Sequence, residues 1–534
     1  MGYGAVHLAR DCRTPRPGLI ALSTLVGMSL LAMSSTGSTA APPQTSAALV
    51  GAANGAIAWT ACGEQLECAK VRVPLNWEHP RAGKIKLAVI RHRASRPEGR
   101  IGSMFVNPGG PGGSVEQVRE EGASLDAAGQ GRFDVVGWDI RGAGDSTHVR
   151  CFRGEKRRAR FFANWSIPTP GRQSRRIAHK TATLARRCGE VSGRLLRHIS
   201  AADTASDLDH LRRLVGDRKL TYVGISAGTF IGQTYANMFP RRVRAMVLDG
   251  VVDPVAYTRG TEAGYANQLR FSDRGFEGFL SLCESAGPAG CALAGDGPVA
   301  PRVDQMLAQL RRGSIPAPSA DPPGELTYGD ALSAIIVGMS AGPATWPDLA
   351  AQLDAAASGD GSALATAGRL LTTAFSSQDV APGLPGVGLT CADSPAREGP
   401  GAWLNVLDRL SGVSFSYGPV LTWWRWAPCA SWPARSADRY TGPWDASTNN
   451  PILVIGTRFD PNTPYANARR TARRLGNAVL LTHDGYSHTS PRDPSACIKS
   501  ATSEYLVALV TPPPGTICPS DRQPFDPDFG EPIP

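Results

Sequence analysis

The sequence predicts an α/β protein: a mostly parallel sheet flanked by helices, with a large, mainly helical cap inserted after the sixth core strand. Three observations lead there. Short runs rich in Val, Ile and Leu, many ending in Gly, Asn or Asp, recur with helical stretches between them. That rhythm stops after Asp249, gives way to helical and Pro/Gly-rich stretches holding four cysteines and a cluster of tryptophans, and resumes at Pro451. The chain has 534 residues, 42% of them hydrophobic and 19% charged, which is enough to bury a large core and too polar for a multi-span membrane protein.

Taken in chain order, Arg10, Arg13 and Arg16 precede a short apolar run from Leu19 to Met33, and Ser38-Thr39-Ala40 supplies small residues for cleavage near Ala40. Residues 1–40 read as an export signal, too short and interrupted for a stable membrane span, and a secreted protein is expected. Residues 41–58 follow as a flexible N-terminal segment or pro-segment. The first part of the core is assigned to 59–254, with strands from Ile85 to His92, Ser103 to Asn107, Phe133 to Asp139, Leu220 to Ile225 and Ala245 to Asp249. The cap takes 255–445. The core then continues over 446–520, with strands from Pro451 to Gly456 and Ala478 to Thr482, and 521–534 form a tail.

Cysteine usage agrees with export. Setting aside Cys12 in the signal leaves ten, an even number that fits five disulfides in an oxidising compartment. Pairing of neighbours gives Cys62–Cys68, Cys151–Cys188, Cys283–Cys291, Cys391–Cys429 and Cys497–Cys518. A metal site would need tight Cys/His clusters, and the chain has no Cys-x-x-Cys; none is expected. The net charge of +10 is spread out. Its densest stretches, Lys156-Arg157-Arg158, Arg175-Arg176 and Arg186-Arg187, lack interleaved aromatics and read as solvated helical surface, so no nucleic-acid partner is expected.

The strongest chemical signal is Gly224-Ile225-Ser226-Ala227-Gly228, a Gly-x-Ser-x-Gly run between a strand and a helical stretch from Ala227 to Phe239. A serine there sits on a tight turn that pushes its Oγ into the open. A nucleophile needs a base, and only His483 and His488 follow Ser226 in the chain. His488, in Gly485-Tyr486-Ser487-His488-Thr489, lies far enough past the last strand to swing back; His483 almost continues that strand and is the alternative. The acid that holds the imidazole should follow the preceding strand, which selects Asp460 over Asp445, before the strand, and Asp484, against the histidine loop. An oxyanion hole needs backbone N–H groups from two directions. Ala227 supplies one, and the glycine-dense loop from Asn107 to Ser114 the other, through Gly110 or, second, Gly109. That loop lacks the lysine of a phosphate cradle, and Gly142-Ala143-Gly144 lacks the third glycine of a dinucleotide site.

Together these stretches resemble the α/β-hydrolase superfamily, and within it the secreted tripeptidyl aminopeptidases related to prolyl aminopeptidases. The likeness runs from about Trp59 to Cys518. It rests on the serine elbow, Asn107-Pro-Gly-Gly-Pro-Gly-Gly-Ser114, Trp138-Asp139-Ile140-Arg141-Gly142-Ala143-Gly144-Asp145-Ser146, Val247-Leu-Asp-Gly-Val-Val-Asp-Pro254, Gly456-Thr-Arg-Phe-Asp-Pro-Asn-Thr-Pro464 and Gly485-Tyr-Ser-His-Thr-Ser490. Cys429-Ala-Ser-Trp432 leads into a stretch like the family's C-terminal module. The resemblance implies an α/β-hydrolase fold, Ser226 as nucleophile, Asp460 as acid, His488 as base, residues 107–114 as oxyanion loop, and exopeptidase action on free N-termini. The oxyanion loop opens Asn-Pro where many prolyl aminopeptidases have His-Gly, so their narrower preference does not carry over.

The reaction expected is acyl transfer through Ser226 with no metal or organic cofactor. The partners are peptides with a free N-terminus, acted on by a monomer. Recognition of the substrate ammonium falls to Glu262, Glu277 and Glu284, and Trp423, Trp424 and Trp426 are candidate pocket walls. A carboxylesterase or lipase using the same triad is the rival enzyme, and a non-catalytic binding protein on the same scaffold the rival from another class.

Overall fold

The computed structural model describes residues 56–529 apart from 111, 164, 166, 168–171, 260–261, 263–265, 267–268, 377–383, 395–398, 400, 424–426 and 528. The expected export signal lies outside the described residues. Ten strands form one sheet: β1 Thr60–Gly63, β2 Leu66–Pro74, β3 Lys84–His92, β4 Gly102–Asn107, β5 Phe133–Trp138, β6 Leu220–Ile225, β7 Val243–Asp249, and, after a two-stranded hairpin of β8 Ile315–Ala317 and β9 Gly324–Leu326, β10 Ile452–Thr457, β11 Ala478–Asp484 and β12 Ile517–Pro519. Their spatial order is β1-β2-β3-β5-β4-β6-β7-β10-β11-β12. β1, β2, β3 and β5 pair antiparallel, and every pairing from β5 through β4 to β12 is parallel.

All seven strands read from the sequence are present, within two residues at each end. The parallel ones are rich in apolar residues because helices cover both faces. Side-chain alternation sorts their residues into two cores. On one face Met104, Val106, Val135, Val247, Leu453 and Ile455 pack with Val118 of helix α1 (Val115–Ala128) and with Ile498 and Tyr505 of the helix Ala496–Ala508. On the other, Phe105, Val136, Tyr222, Met246, Leu248, Ile452 and Val454 meet helices later in the chain. After α2 (Glu155–Phe162) and α3 (Arg172–Ser192), these are α4 (Ala201–Leu214), through Ala205, Leu208 and Leu211, and α5 (Ala227–Met238), through Ile231 and Tyr235. β1, β2 and β12 escaped the sequence reading: β1 and β12 are only four and three residues long, and β2 is mostly exposed or half-buried, so none offers an apolar run.

Between β7 and β10 the chain leaves the sheet. The break falls after the seventh strand of the sheet, one later than the sequence reading placed it, because the short β1 and the half-buried β2 offer no apolar run to count. Helices there, among them Arg274–Gly290, Tyr328–Ala341 and Trp346–Ala357, bury a core of their own around Phe279, Leu307, Leu332, Ile335, Trp346 and Leu353. Phe525 of the tail joins that core against Phe279 and Trp346. The structure joins the ten cysteines in the five neighbour pairs, Cys62–Cys68, Cys151–Cys188, Cys283–Cys291, Cys391–Cys429 and Cys497–Cys518. No described helix is long and apolar enough to cross a membrane.

The turn after β5 has a structural role the sequence did not assign. Asp139 accepts the Val115 N–H at the start of α1 (3.2 Å) and the Asp145 N–H (2.7 Å), which ties the turn to the glycine loop after β4. Arg141, fully buried, donates to both carboxylate oxygens of Asp207 (2.7 and 2.6 Å) and to the carbonyls of Pro74, Leu75 and His198. Removing one member of a buried pair leaves the other charge uncompensated. Arg141→Met is therefore expected to lower the unfolding free energy by about 3–5 kcal/mol, read from denaturant unfolding, and Arg141→Met with Asp207→Leu to regain part of it. A wild-type unfolding curve for the single variant would refute this role.

Candidate active site

β4, β6, β7, β10 and β11 are consecutive neighbours and parallel, so the loops at their carboxyl ends converge on one edge of the sheet, where ligands of open α/β sheets bind. Ser226 follows β6 with φ 54° and ψ −122°, a sparsely populated conformation for a residue with a Cβ. Its N–H donates to the Asp249 carbonyl (2.8 Å), and α5 starts at the next residue. Both motif glycines are required by close approach. A Cβ on Gly224 would stand 2.6 Å from the Tyr222 ring, and one on Gly228 2.4 Å from the Asn107 carbonyl.

His488 Nε2 lies 2.8 Å from Ser226 Oγ, and His488 Nδ1 lies 3.0 and 3.1 Å from the two carboxylate oxygens of Asp460. Asp460 is 2% exposed, and its Oδ1 also accepts the N–H groups of Asn462 (2.8 Å) and Thr463 (2.9 Å), while its Oδ2 accepts Thr463 Oγ1–H (2.7 Å). These donors fix the orientation of the carboxylate. The structure thus brings together the three groups read from the sequence, drawn from three distant stretches of chain. Their side chains form a continuous hydrogen-bonded line from a hydroxyl to a buried carboxylate.

Neighbouring contacts hold the acid and histidine loops in register. The Phe459 N–H donates to the Gly485 carbonyl (3.1 Å), and the Phe459 and Tyr486 rings stack 4.4 Å apart. Past the histidine, Ser490 donates its N–H (3.0 Å) and its hydroxyl (2.6 Å) to Asp249 Oδ2 at the end of β7. Burial pushes the Asp249 carboxyl up to about 6. Thr463 and Asp249 were missed as site residues, although both stand inside motifs visible in the sequence. A polar residue within a motif does not by itself disclose which loop it braces.

The other residues read from the sequence fall as follows. His483 lies in β11 beside Thr457 of β10, fully buried, with Nδ1 3.2 Å from Thr457 Oγ1, and burial lowers it to about 4. It is a neutral residue of the sheet, not the partner of Ser226. Gly109 (φ +91°) packs onto the serine turn, where a Cβ would come within 2.8 Å of Ala227 N, but its own N–H donates to Asn107 Oδ1 (3.0 Å). Gly109 therefore has no donor to spare for an oxyanion, which leaves Gly110 and Ala227. Glu262 forms a two-pronged ion pair with Arg409, and Glu284 accepts the Val299 N–H (2.6 Å) at the start of a helix, so both are engaged by the fold; Glu277 is exposed on its helix. Trp423 is buried in the main core against Trp165. Trp424 and Trp426 lie outside the described residues.

Known proteins show the same two regions. Residues 102–283, which hold Ser226, match the family described as alpha/beta hydrolase fold, and residues 415–518, which hold Asp460 and His488, match the one described as TAP-like protein. Serine protease Hip1 of Mycobacterium tuberculosis is 32% identical over 464 residues, covering 84% of this chain and 87% of the relative. Carboxylesterase B of the same organism is 32% identical over 487 residues (86% and 89%), and tripeptidyl aminopeptidase of Streptomyces coelicolor 29% over 483 (85% and 84%). The chain belongs to the α/β-hydrolase family. Within that family it is a serine hydrolase whose C-terminal part is of the TAP-like kind.

A buried histidine held below its unfolded pKa stabilises the fold above pH 6.5 and progressively less as pH falls toward 4, because only the unfolded chain takes up its proton there. The advantage in stability of the wild type over His483→Asn should shrink by on the order of 3 kcal/mol between pH 7 and pH 4, measured by denaturant unfolding at each pH. A difference independent of pH would contradict the buried neutral state.

Proposed function

We propose that this protein is an exported serine exopeptidase that releases short fragments, tripeptides foremost, from the free N-termini of peptides. The observation that carries the reading is the hydrogen-bonded line Ser226–His488–Asp460 at the carboxyl edge of the sheet. In the proposed reaction His488 Nε2 takes the Oγ proton as Ser226 attacks the peptide carbonyl, and the N–H groups of Ala227 and Gly110 receive the oxyanion. The imidazolium, steadied by Asp460, then gives that proton to the departing amine. Water, deprotonated by the same histidine, attacks the acyl-enzyme, frees the short fragment as its carboxylate and returns the proton to Ser226 Oγ. The names of the serine protease and tripeptidyl aminopeptidase relatives support peptide substrates and fragment length. The sequence of residues 1–40 and the five disulfides support export. An esterase is the second reading, favoured by the carboxylesterase relative of equal identity.

Two sets of measurements check this. Ser226→Ala should lower kcat by about 10⁶ and Asp460→Asn by about 10⁴, while Thr463→Val, which removes one donor to Asp460, should lower kcat by roughly tenfold with KM little changed. A twofold effect of Ser226→Ala would move the nucleophile elsewhere. Mass spectrometry of fragments released from a defined peptide, its N-acetylated twin and a matched ester then separates the readings: tripeptides from the free peptide alone support the exopeptidase, and turnover of the ester alone supports the esterase.

A further inference from the structure

Beside the nucleophile lies a narrow, mainly apolar pocket whose wall includes Ala227, Phe230 and Ile231 from the start of α5, Tyr257, and Leu389 with Asp393 from the helix Leu384–Asp393. Ala227 is the residue next to Ser226, so the pocket borders the turn that carries the nucleophile. Among the described residues of this wall, Asp393 is the one charged side chain. It is 3% exposed, its Oδ2 accepts the N–H of Ala201 at the start of α4 (2.9 Å), and its Oδ1 is buried with no hydrogen-bond partner among the described residues.

A carboxylate in that position is costly unless something completes it. The groups nearest to it do not. Asp203 repels it, and Arg439 attracts it without forming an ion pair, so burial prevails and the Asp393 carboxyl is pushed up to about 7. Several buried acids are completed by the fold, Asp207 by Arg141, Asp209 by Arg212 and Arg242, and Asp460 by His488 and Thr463. Among the described residues, Asp126, Asp249 and Asp493 each keep one unpartnered oxygen as Asp393 does, but of these four acids Asp393 is the one that lines the pocket beside Ala227. The Cys391–Cys429 disulfide, two residues from Asp393, pins the helix that carries it, so the unmet acceptor is held in place. An apolar pocket with a single fixed, unpaired acid beside a reacting centre selects a cation with an alkyl body.

We propose that Asp393 binds a primary ammonium group of the substrate, and so supplies the recognition that Glu262 and Glu284, already engaged elsewhere, do not. The inference rests on the peptidase reading of the same site. The ammonium has two possible sources: the free N-terminus of the peptide or a lysine side chain at the residue that supplies the scissile carbonyl.

The test uses the mature enzyme and four peptide anilides, in which the N-terminus is free or acetylated and the residue before the scissile bond is lysine or norleucine. If the N-terminus is the source, wild type should prefer the free over the acetylated peptides by on the order of 100-fold in kcat/KM, and Asp393→Asn should bring that ratio close to one. If the side chain is the source, the lysine over norleucine ratio should collapse instead. Asparagine can still accept the Ala201 N–H, so a purely structural role for Asp393 would leave both ratios intact. An ammonium preference that survives in Asp393→Asn overturns the assignment while leaving the exopeptidase reading standing, and equal turnover of all four peptides by wild type overturns it outright. If wild type cleaves only esters, the peptidase reading fails but the pocket is still tested. n-Butylammonium should then compete with ester hydrolysis and 1-butanol should not; equal inhibition by both, or by neither, removes the ammonium site. That inhibition test on wild type also serves if Asp393→Asn does not fold.

Discussion

The backbone turn at Ser226 is the constraint around which the rest of the molecule is arranged. A serine at φ 54° is unfavourable by about 1–3 kcal/mol and persists only where its surroundings over-determine it. Here they do so from three sides. β6 delivers the chain, the Asp249 carbonyl at the end of β7 takes the Ser226 N–H, and the Asn107 backbone at the end of β4 packs so closely on Gly228 that no Cβ fits. The nucleophile is therefore held by three adjacent parallel strands at once, and the strain is local while its support is distributed over the sheet.

Parallel pairing also solves the problem of assembling a site from remote segments. β10 pairs with β7, two hundred residues earlier in the chain, through Leu453 against Val247, Val454 against Leu248 and Ile455 against Asp249. That register sets the loop after β10 beside the loop after β7. Asp460 is then fixed by its own turn, through the N–H groups of Asn462 and Thr463, and His488 is fixed by Asp460 on one side and by the Ser490–Asp249 contact a little further on. Each catalytic candidate is thus positioned by backbone donors or by a strand end, and none depends on a long free side chain.

Several motif residues that suggest chemistry act on the fold instead. Asp139 and Arg141 stand in a conspicuous Gly/Asp-rich stretch, yet Asp139 ties the turn after β5 to the start of α1 and Arg141 neutralises Asp207 in the core. Asp393 is the converse. It belongs to no motif visible in the sequence, and its unmet acceptor appears only once the helix Leu384–Asp393 is laid against the starts of α4 and α5.

The sequence by itself determined what depends on nearby residues. Apolar runs, many bounded by Gly, Asn or Asp, placed seven of the ten strands of the sheet, because a strand buried on both faces needs a continuous apolar segment. The Gly-x-Ser-x-Gly turn, the scarcity of histidines after it and the Asp460 loop picked out three residues that the structure sets within hydrogen-bonding reach. Neighbour pairing matched the disulfides, whose partners lie between 6 and 38 residues apart in the chain. Only the tertiary structure decided which donors and acceptors remain free. It spends the Gly109 N–H on Asn107, the Glu262 and Glu284 carboxylates on Arg409 and Val299, and His483 on the sheet interior, while leaving Asp393 unmatched. The physical reason is that hydrogen bonding is settled by groups meeting across large sequence separations at separations of about 3 Å, whereas residue type and spacing along the chain report only what each group is able to do.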